Sequence, residues 1–214
     1  MALEYIDLGA FKRARAAHEP FVHFTGAGAL KANQTDALER DFPKLRHAGY
    51  LTLGEAKAVG TFAEFLAELQ GDEVASVVSE LLAFDLRPRP RLVTIMRKCP
   101  KRAGRIHTDS KSKRATVLIY FNRAWPAGEA GAVRVLRNEH DFQSTVVEVP
   151  PLMGSFLGFL RADNSWHGHL PFEGERKAVQ ITWLESAADV ERKKRTNALA
   201  QALKGLWPRS ENAA

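Results

Sequence analysis

The chain has 214 residues, 45% hydrophobic and 26% charged, ordinary values for a folded globular protein with a core of useful size. No run of eighteen apolar residues occurs, which excludes a hydrophobic span, and the acids and bases inside MALEYIDLGAFKRARAAHEP are unlike a secretory signal. A net charge of +6 raises nucleic-acid binding, but the densest basic run (ERKKR, 191–195) begins with an acid and lacks interleaved aromatics, so nucleic acid is not the expected partner.

In chain order, the first ninety residues predict mainly helix. Residues 30–41 give a first candidate. TFAEFLAELQ opens on Thr61 with Glu64 three residues on, the pattern of a capping box. GDEVASVVSELLAFDL follows, with Asp72 as N-cap and Val74, Val77, Val78, Leu81 and Leu82 at helical spacing. Pro88 and Pro90 stop the helical pattern and start an extended one.

Six short runs rich in β-branched and aromatic residues come next, at 91–98, 114–122, 132–137, 144–149, 154–160 and 177–184. Their number and spacing predict a sandwich, barrel or jelly roll. A last helix starts near Ser186, with Asp189 closing a capping box, and runs to about Leu206. With no repeat and no low-complexity linker, one α+β domain over 1–214 is expected. Residues 1–90 are its helical support, 91–185 its strands, and 186–214 a C-terminal helix and tail. The helices should cover one face of the sheet, because an apolar sheet face must be buried. Cys99, the single cysteine, excludes an internal disulfide and fits a reducing, cytoplasmic setting.

The chemistry sits in two short stretches. In GRIHTDS, His107 and Asp109 are two apart, so in an extended segment an imidazole and a carboxylate point to one side. One further histidine completes two His and one carboxylate on one face of a metal, the arrangement of non-haem Fe(II) oxygenases. SWHGH offers two, His167 and His169, just before the last strand. Taken alone, His107 and Asp109 are equally compatible with a plain hydrogen bond at a strand end.

Iron of this type commonly binds 2-oxoglutarate, whose far carboxylate needs a cation, best an Arg with its bidentate fork. Alternation along 176–183 puts Arg176, Ala178, Gln180 and Thr182 on one face and Lys177, Val179, Ile181 and Trp183 on the other. The apolar set packs on the helices, so Arg176 faces the cavity and Lys177 is expected at a strand edge or the surface. In ATVLIYFN, Thr116, Leu118, Tyr120 and Asn122 share the cavity face, opposite Val117, Ile119 and Phe121. Tyr120, and Thr116 beside it, are candidates to help bind the co-substrate carboxylate.

IHTD, LIYFNRAW, GAVRVLR, VEVPPLMGSFLGF, SWHGHLPF and GERKAVQITW occur in this order between about 91 and 185. They resemble the core of the Fe(II)/2-oxoglutarate-dependent dioxygenases, most of all the prolyl 4-hydroxylase-like branch. The resemblance implies a double-stranded β-helix (jelly-roll) core, with the helical region packed on the major sheet. It also implies Fe(2+), 2-oxoglutarate and O2 as cofactor and co-substrates. In that family the distal His precedes the co-substrate Arg or Lys by nine or ten residues. His167 lies nine before Arg176 and His169 seven, so His107, Asp109 and His167 match the iron ligands. Arg176 then matches the co-substrate anchor, and Tyr120 a tyrosine that binds the same carboxylate.

Two departures stand out. RLVTIMRKCP lacks the tyrosine the family often carries before H-x-D, which leaves Thr94 or Arg97 to replace it. ERKAVQITW lacks the arginine-rich pattern of the nucleic-acid demethylases, and Asp109 is a carboxylate where the halogenating members have a small residue, which favours hydroxylation or desaturation over halogenation; a peptidyl or small-molecule substrate is expected. A zinc hydrolase, or a non-enzymatic ligand-binding β-sandwich of the cupin type, is the competing reading. His169 is expected to be structural or substrate-facing, and Trp125, Trp166 and Trp183 to be packing residues. His18, His23, His47 and His140 lie outside the motif. Lys111, Lys113 and Arg114 should lie near the site mouth, where they could attract an anionic substrate.

Overall fold

In a computed structural model the protein is described over residues 3–45 and 47–206; the expected tail at 207–214 lies outside them. The chain opens with a short helix α1 (Leu8–Lys12), then strands β1 (Arg15–Ala17) and β2 (His23–Gly26). Next come α2 (Thr35–Arg40), β3 (Leu51–Thr52), α3 (Leu53–Ala56), α4 (Gly60–Leu69) and α5 (Asp72–Leu82). The expected helix at 30–41 is thus shorter, a 3-10 turn at Ala32–Gln34 running into α2. Nor is the N-terminal region purely helical, since it contributes three strands to the main sheet.

Two caps differ from expectation for a physical reason. The first turn of α4 is capped from outside, with Thr61 N donating to Asp41 Oδ2 at 3.2 Å, while Glu64 accepts from the Tyr5 hydroxyl instead of closing a local box. Gly71, in extended conformation, is the N-cap of α5. Asp72 and Glu73 occupy its first turn, where carboxylates favour the positive end of the helix dipole.

The β-rich runs become β4 (Arg91–Cys99), β5 (Lys113–Tyr120), β6 (Val133–Leu136), β7 (Thr145–Val149), β8 (Phe156–Leu160), a two-residue β9 (His167–Gly168) and β10 (Gly174–Leu184). They form a seven-stranded sheet in the order β1-β2-β8-β5-β10-β4-β3 and a three-stranded sheet in the order β7-β6-β9. Every strand pair is antiparallel. Long-range pairing of the two ends of the β-rich segment puts β10 between β4 and β5, the jelly-roll arrangement in which sequence neighbours are not sheet neighbours.

Alternation sorts the two faces of the large sheet. Val117, Ile119, Phe121, Val179, Ile181 and Trp183 are fully buried in the core shared with the helices. There Phe121 packs against Phe42, Phe62 and Phe65, with ring centroids 5.3–5.5 Å apart. Leu118, Tyr120 and Ala178 point the other way, into a second core with Val133, Val135 and Val149 of the small sheet. Lys177 goes to the helix side as alternation requires, but not to the surface. It is buried, and its Nζ lies 3.3 Å from Glu39 Oε1 of α2 and 3.2 Å from Glu175 Oε1.

The last helix, α6, spans Ala187–Leu206 and starts as expected, with Ser186 Oγ donating to Asp189 Oδ2 at 2.7 Å. Val190 fastens it to the sheet against Leu92 and Leu184.

Candidate active site

Backbone pairing between β9 and the connection from β4 to β5 builds the centre. His107 and His167 face each other in an antiparallel bridge, each N–H donating to the other's carbonyl at 3.0 Å. That register brings their rings to a centroid separation of 4.3 Å. Each Nδ1 lies on a backbone carbonyl, Arg105 O at 2.8 Å for His107 and Ser165 O at 2.9 Å for His167. A carbonyl only accepts, so both Nδ1 atoms carry the proton and both Nε2 lone pairs are free for a ligand.

Asp109, two residues beyond His107, completes the cluster. One ligand atom from each of His107, Asp109 and His167 lies within 4.8 Å of the others. Asp109 and His167 are buried and His107 is exposed, so the open side of the cluster is next to His107. Asp109 Oδ1 takes Lys113 Nζ at 2.7 Å and Oδ2 takes Thr116 Oγ1 at 2.7 Å. Burial alone raises this carboxyl, but the charges of Lys113 and His167 and the two hydrogen bonds overcome it and bring it to about 2. Burial holds the His167 imidazole down to about 4 against the pull of Asp109, so it is neutral near pH 7. Two imidazoles and one carboxylate form a donor set that fits a divalent transition metal.

The cluster opens on a cavity of about 290 Å³, walled by apolar Met96, Leu118, Val133, Leu157 and Phe159, with Arg176 in its lining. Arg176 is 2% exposed, its Nε donating to Gly131 O at 2.8 Å and its Nη2 to the Tyr120 hydroxyl at 2.5 Å. Its guanidinium carbon sits 4.9 Å from the Tyr120 ring centroid, a cation–π contact. Tyr120 itself is fully buried behind the guanidinium and is not part of the cavity wall. Thr116 reaches the wall, but its hydroxyl is engaged by Asp109.

The sequence reading missed Tyr50. It lines the cavity, and its hydroxyl lies deep beside Arg176, where burial raises it. It reaches the site from the residue before β3, which pairs with β4. Neither alternative does so. Arg97 forms an ion pair with Glu175 at 3.2 Å, and Thr94 lines a neighbouring cavity. The signal available was the pair Tyr50-Leu51, an aromatic and an aliphatic directly after Gly49.

His169 is wedged rather than free. Its N–H donates to Gly104 O at 2.9 Å, its Nδ1 to Leu170 O at 2.8 Å, and its Nε2 lies 3.9 Å from Cys99 Sγ. Burial, helped by the Arg176 charge, holds its imidazole down to about 4. Trp183 lies in the helix-side core, Trp125 stacks near Phe172, and Trp166 is half-buried. His18, His47 and His140 are exposed, and His23 is buried against Phe21 O. Of the expected basic mouth, Lys113 is at the site, Arg114 turns to Glu185, and Lys111 is exposed.

The model of the 2OG-Fe(II) oxygenase superfamily matches residues 96–185. No curated protein matches the chain. Among solved structures, a prolyl 4-hydroxylase from Pseudomonas putida aligns over 86% of this chain and 94% of its own, with TM-score 0.58 and 18% identity. A prolyl 4-hydroxylase from Phytophthora capsici aligns over 78% and 60%, with TM-score 0.52 and 20% identity. AviO1 from Streptomyces viridochromogenes Tue57 aligns over 87% and 97%, with TM-score 0.50 and 17% identity. At such identities the likeness is one of fold, the double-stranded β-helix with its helical support.

Proposed function

We propose, because residues 96–185 match the model of the 2OG-Fe(II) oxygenase superfamily, whose members use Fe(II), 2-oxoglutarate and O2, that the chain is a hydroxylase with its iron on His107, Asp109 and His167. The observation that carries this reading is the reciprocal His107–His167 backbone bridge, with a ring nitrogen of each histidine and an Asp109 carboxylate oxygen within 4.8 Å of one another. Iron held there supplies the O2 chemistry that couples oxidation of 2-oxoglutarate to succinate and CO2 with hydroxylation of a substrate.

The rest of the work belongs to the chain. Arg176 binds the distal carboxylate of 2-oxoglutarate, with the Tyr50 hydroxyl as second donor. Gly131 O and Tyr120 fix the guanidinium, which lines the cavity. Thr116 orients the Asp109 carboxylate, while Leu118, Val133, Leu157 and Phe159 keep water from the bound co-substrate. The substrate is a peptidyl side chain, as the name of the first two structural relatives suggests for those proteins, or a small molecule. Succinate release from 2-oxoglutarate should depend on added Fe(II) and disappear in Asp109→Ala. Unchanged release in that variant would rule out the assignment.

A further inference from the structure

A second cavity, of about 330 Å³, adjoins the first and shares Tyr50, Lys113 and Gln180 with it. Thr94, Gln180 and Thr182 of β4 and β10 form its floor, and Arg192, Lys193 and Asn197 of α6 form its roof. Its charge is one-sided. Arg192 is paired within its own helix to Asp189, and Lys113 is paired to Asp109. Lys193 is half-buried and donates to Ser110 Oγ at 2.9 Å; among the described residues no carboxylate pairs with it. Lys113 and Lys193 both line this cavity; burial and the charge of Lys113 lower Lys193, while Asp109 and Asp189 oppose them.

When Asp109 serves a divalent cation its negative charge is committed to the metal. Lys113 and Lys193 then line one partly enclosed space whose lining, among the described residues, includes no carboxylate, an arrangement that an anionic ligand relieves. Neutral hydrogen-bonding groups stand around the same space on Thr94, Gln180, Thr182 and Asn197.

We propose that this cavity is the substrate's anion subsite, in which Lys193 and Lys113 hold a carboxylate or phosphate of a small substrate and direct its neutral part to the triad. The inference rests on the reading of the triad given above. The space beneath α6 suits a small acid, and it distinguishes such a substrate from an uncharged prolyl side chain. Lys193 is a specificity-determining residue outside the metal and co-substrate sites.

The test uses the full chain loaded with Mn(II) and saturated with 2-oxoglutarate, which occupies Arg176. Calorimetric titration compares phenyl phosphate, benzoate and the neutral benzamide. At least one anion is expected to bind more tightly than benzamide. Lys193→Ala should weaken that anion about tenfold, the scale of a charge-assisted hydrogen bond, and Lys193→Glu should weaken it further. Lys193→Arg should keep it within about threefold, and all three variants should keep the 2-oxoglutarate affinity of the parent, which reports intact folding. Preference for phenyl phosphate assigns a phosphoryl group, and preference for benzoate a carboxyl group. No preference for either anion over benzamide, or unchanged anion affinity in Lys193→Glu, overturns the subsite while leaving the triad reading in place. Failure of 2-oxoglutarate itself to bind the Mn(II)-loaded parent overturns both.

Discussion

Arg176 differs from an ordinary buried cation in how its fork is divided between structure and ligand. Nε and Nη2 are fixed by Gly131 O and the Tyr120 hydroxyl, and Arg176 lines the cavity together with Tyr50. Lysine keeps the charge but cannot make the fork. Arg176→Lys should therefore raise the Kd for 2-oxoglutarate by about tenfold or more, the loss of one charge-assisted hydrogen bond at about 1.5–3 kcal/mol. Tyr50→Phe removes a neutral donor and should cost about 1 kcal/mol, roughly fivefold in the same Kd, with folding stability little changed. Calorimetry on the metal-loaded protein measures both, and equal affinity in Arg176→Lys would remove Arg176 from the co-substrate site. At this scale alternation was a sufficient guide to which way Arg176 and Lys177 point, because strand periodicity is local. It was silent on the burial of Lys177, whose partner Glu39 is 138 residues away in sequence. Tyr50 was hidden for the same reason, since only the pairing of β3 with β4 carries it to the site.

Among the elements, the turn around Gly104 and the helix α4 carry distinct loads. Gly104 has φ +85°, and a Cβ there would lie 2.3 Å from the His169 ring. Gly104→Ala should destabilise by about 2–4 kcal/mol, combining backbone strain with overpacking against a ring held by its hydrogen bond to Leu170 O. Gly128, also at positive φ (+59°) but with open space around it, separates the two terms. Gly128→Ala should cost only about 1 kcal/mol. Chemical denaturation measures both, and equal losses would mean that His169 can move aside. Phe62 of α4 is fully buried among Phe42, Phe65 and Phe121, so Phe62→Ala should cost about 3–5 kcal/mol by the same measurement. Long periodic elements such as α5 and β10 were legible in the sequence. β1, β3 and β9 were not, because two or three residues are too few to show a period. The cap of α4 was misplaced because Asp41, 20 residues upstream of Thr61, supplies a partner that a local rule assigns nearby.

For the whole molecule, the sheet order β1-β2-β8-β5-β10-β4-β3 draws on strands from 15 to 184, so the site exists only when the full core is assembled. Binding at the triad is then linked to global folding. At a metal concentration a hundred times Kd, stabilisation should be about 2.7 kcal/mol, a rise in Tm of roughly 5–10 °C, and this rise should be absent in Asp109→Ala. The jelly-roll class and the order of its motifs were readable from 91–185, where strand signals and chemical residues coincide. The cavity under α6 was not readable, since it is formed by a helix and strands distant in sequence.

The most direct test of the account measures 2-oxoglutarate binding under anaerobic conditions with and without Fe(II). One molecule per chain should bind the Fe(II)-loaded protein at least tenfold more tightly than the metal-free protein, and Asp109→Ala should lose that difference. Equal affinity in the presence and absence of Fe(II), with the parent and the variant alike, would contradict an iron centre on His107, Asp109 and His167.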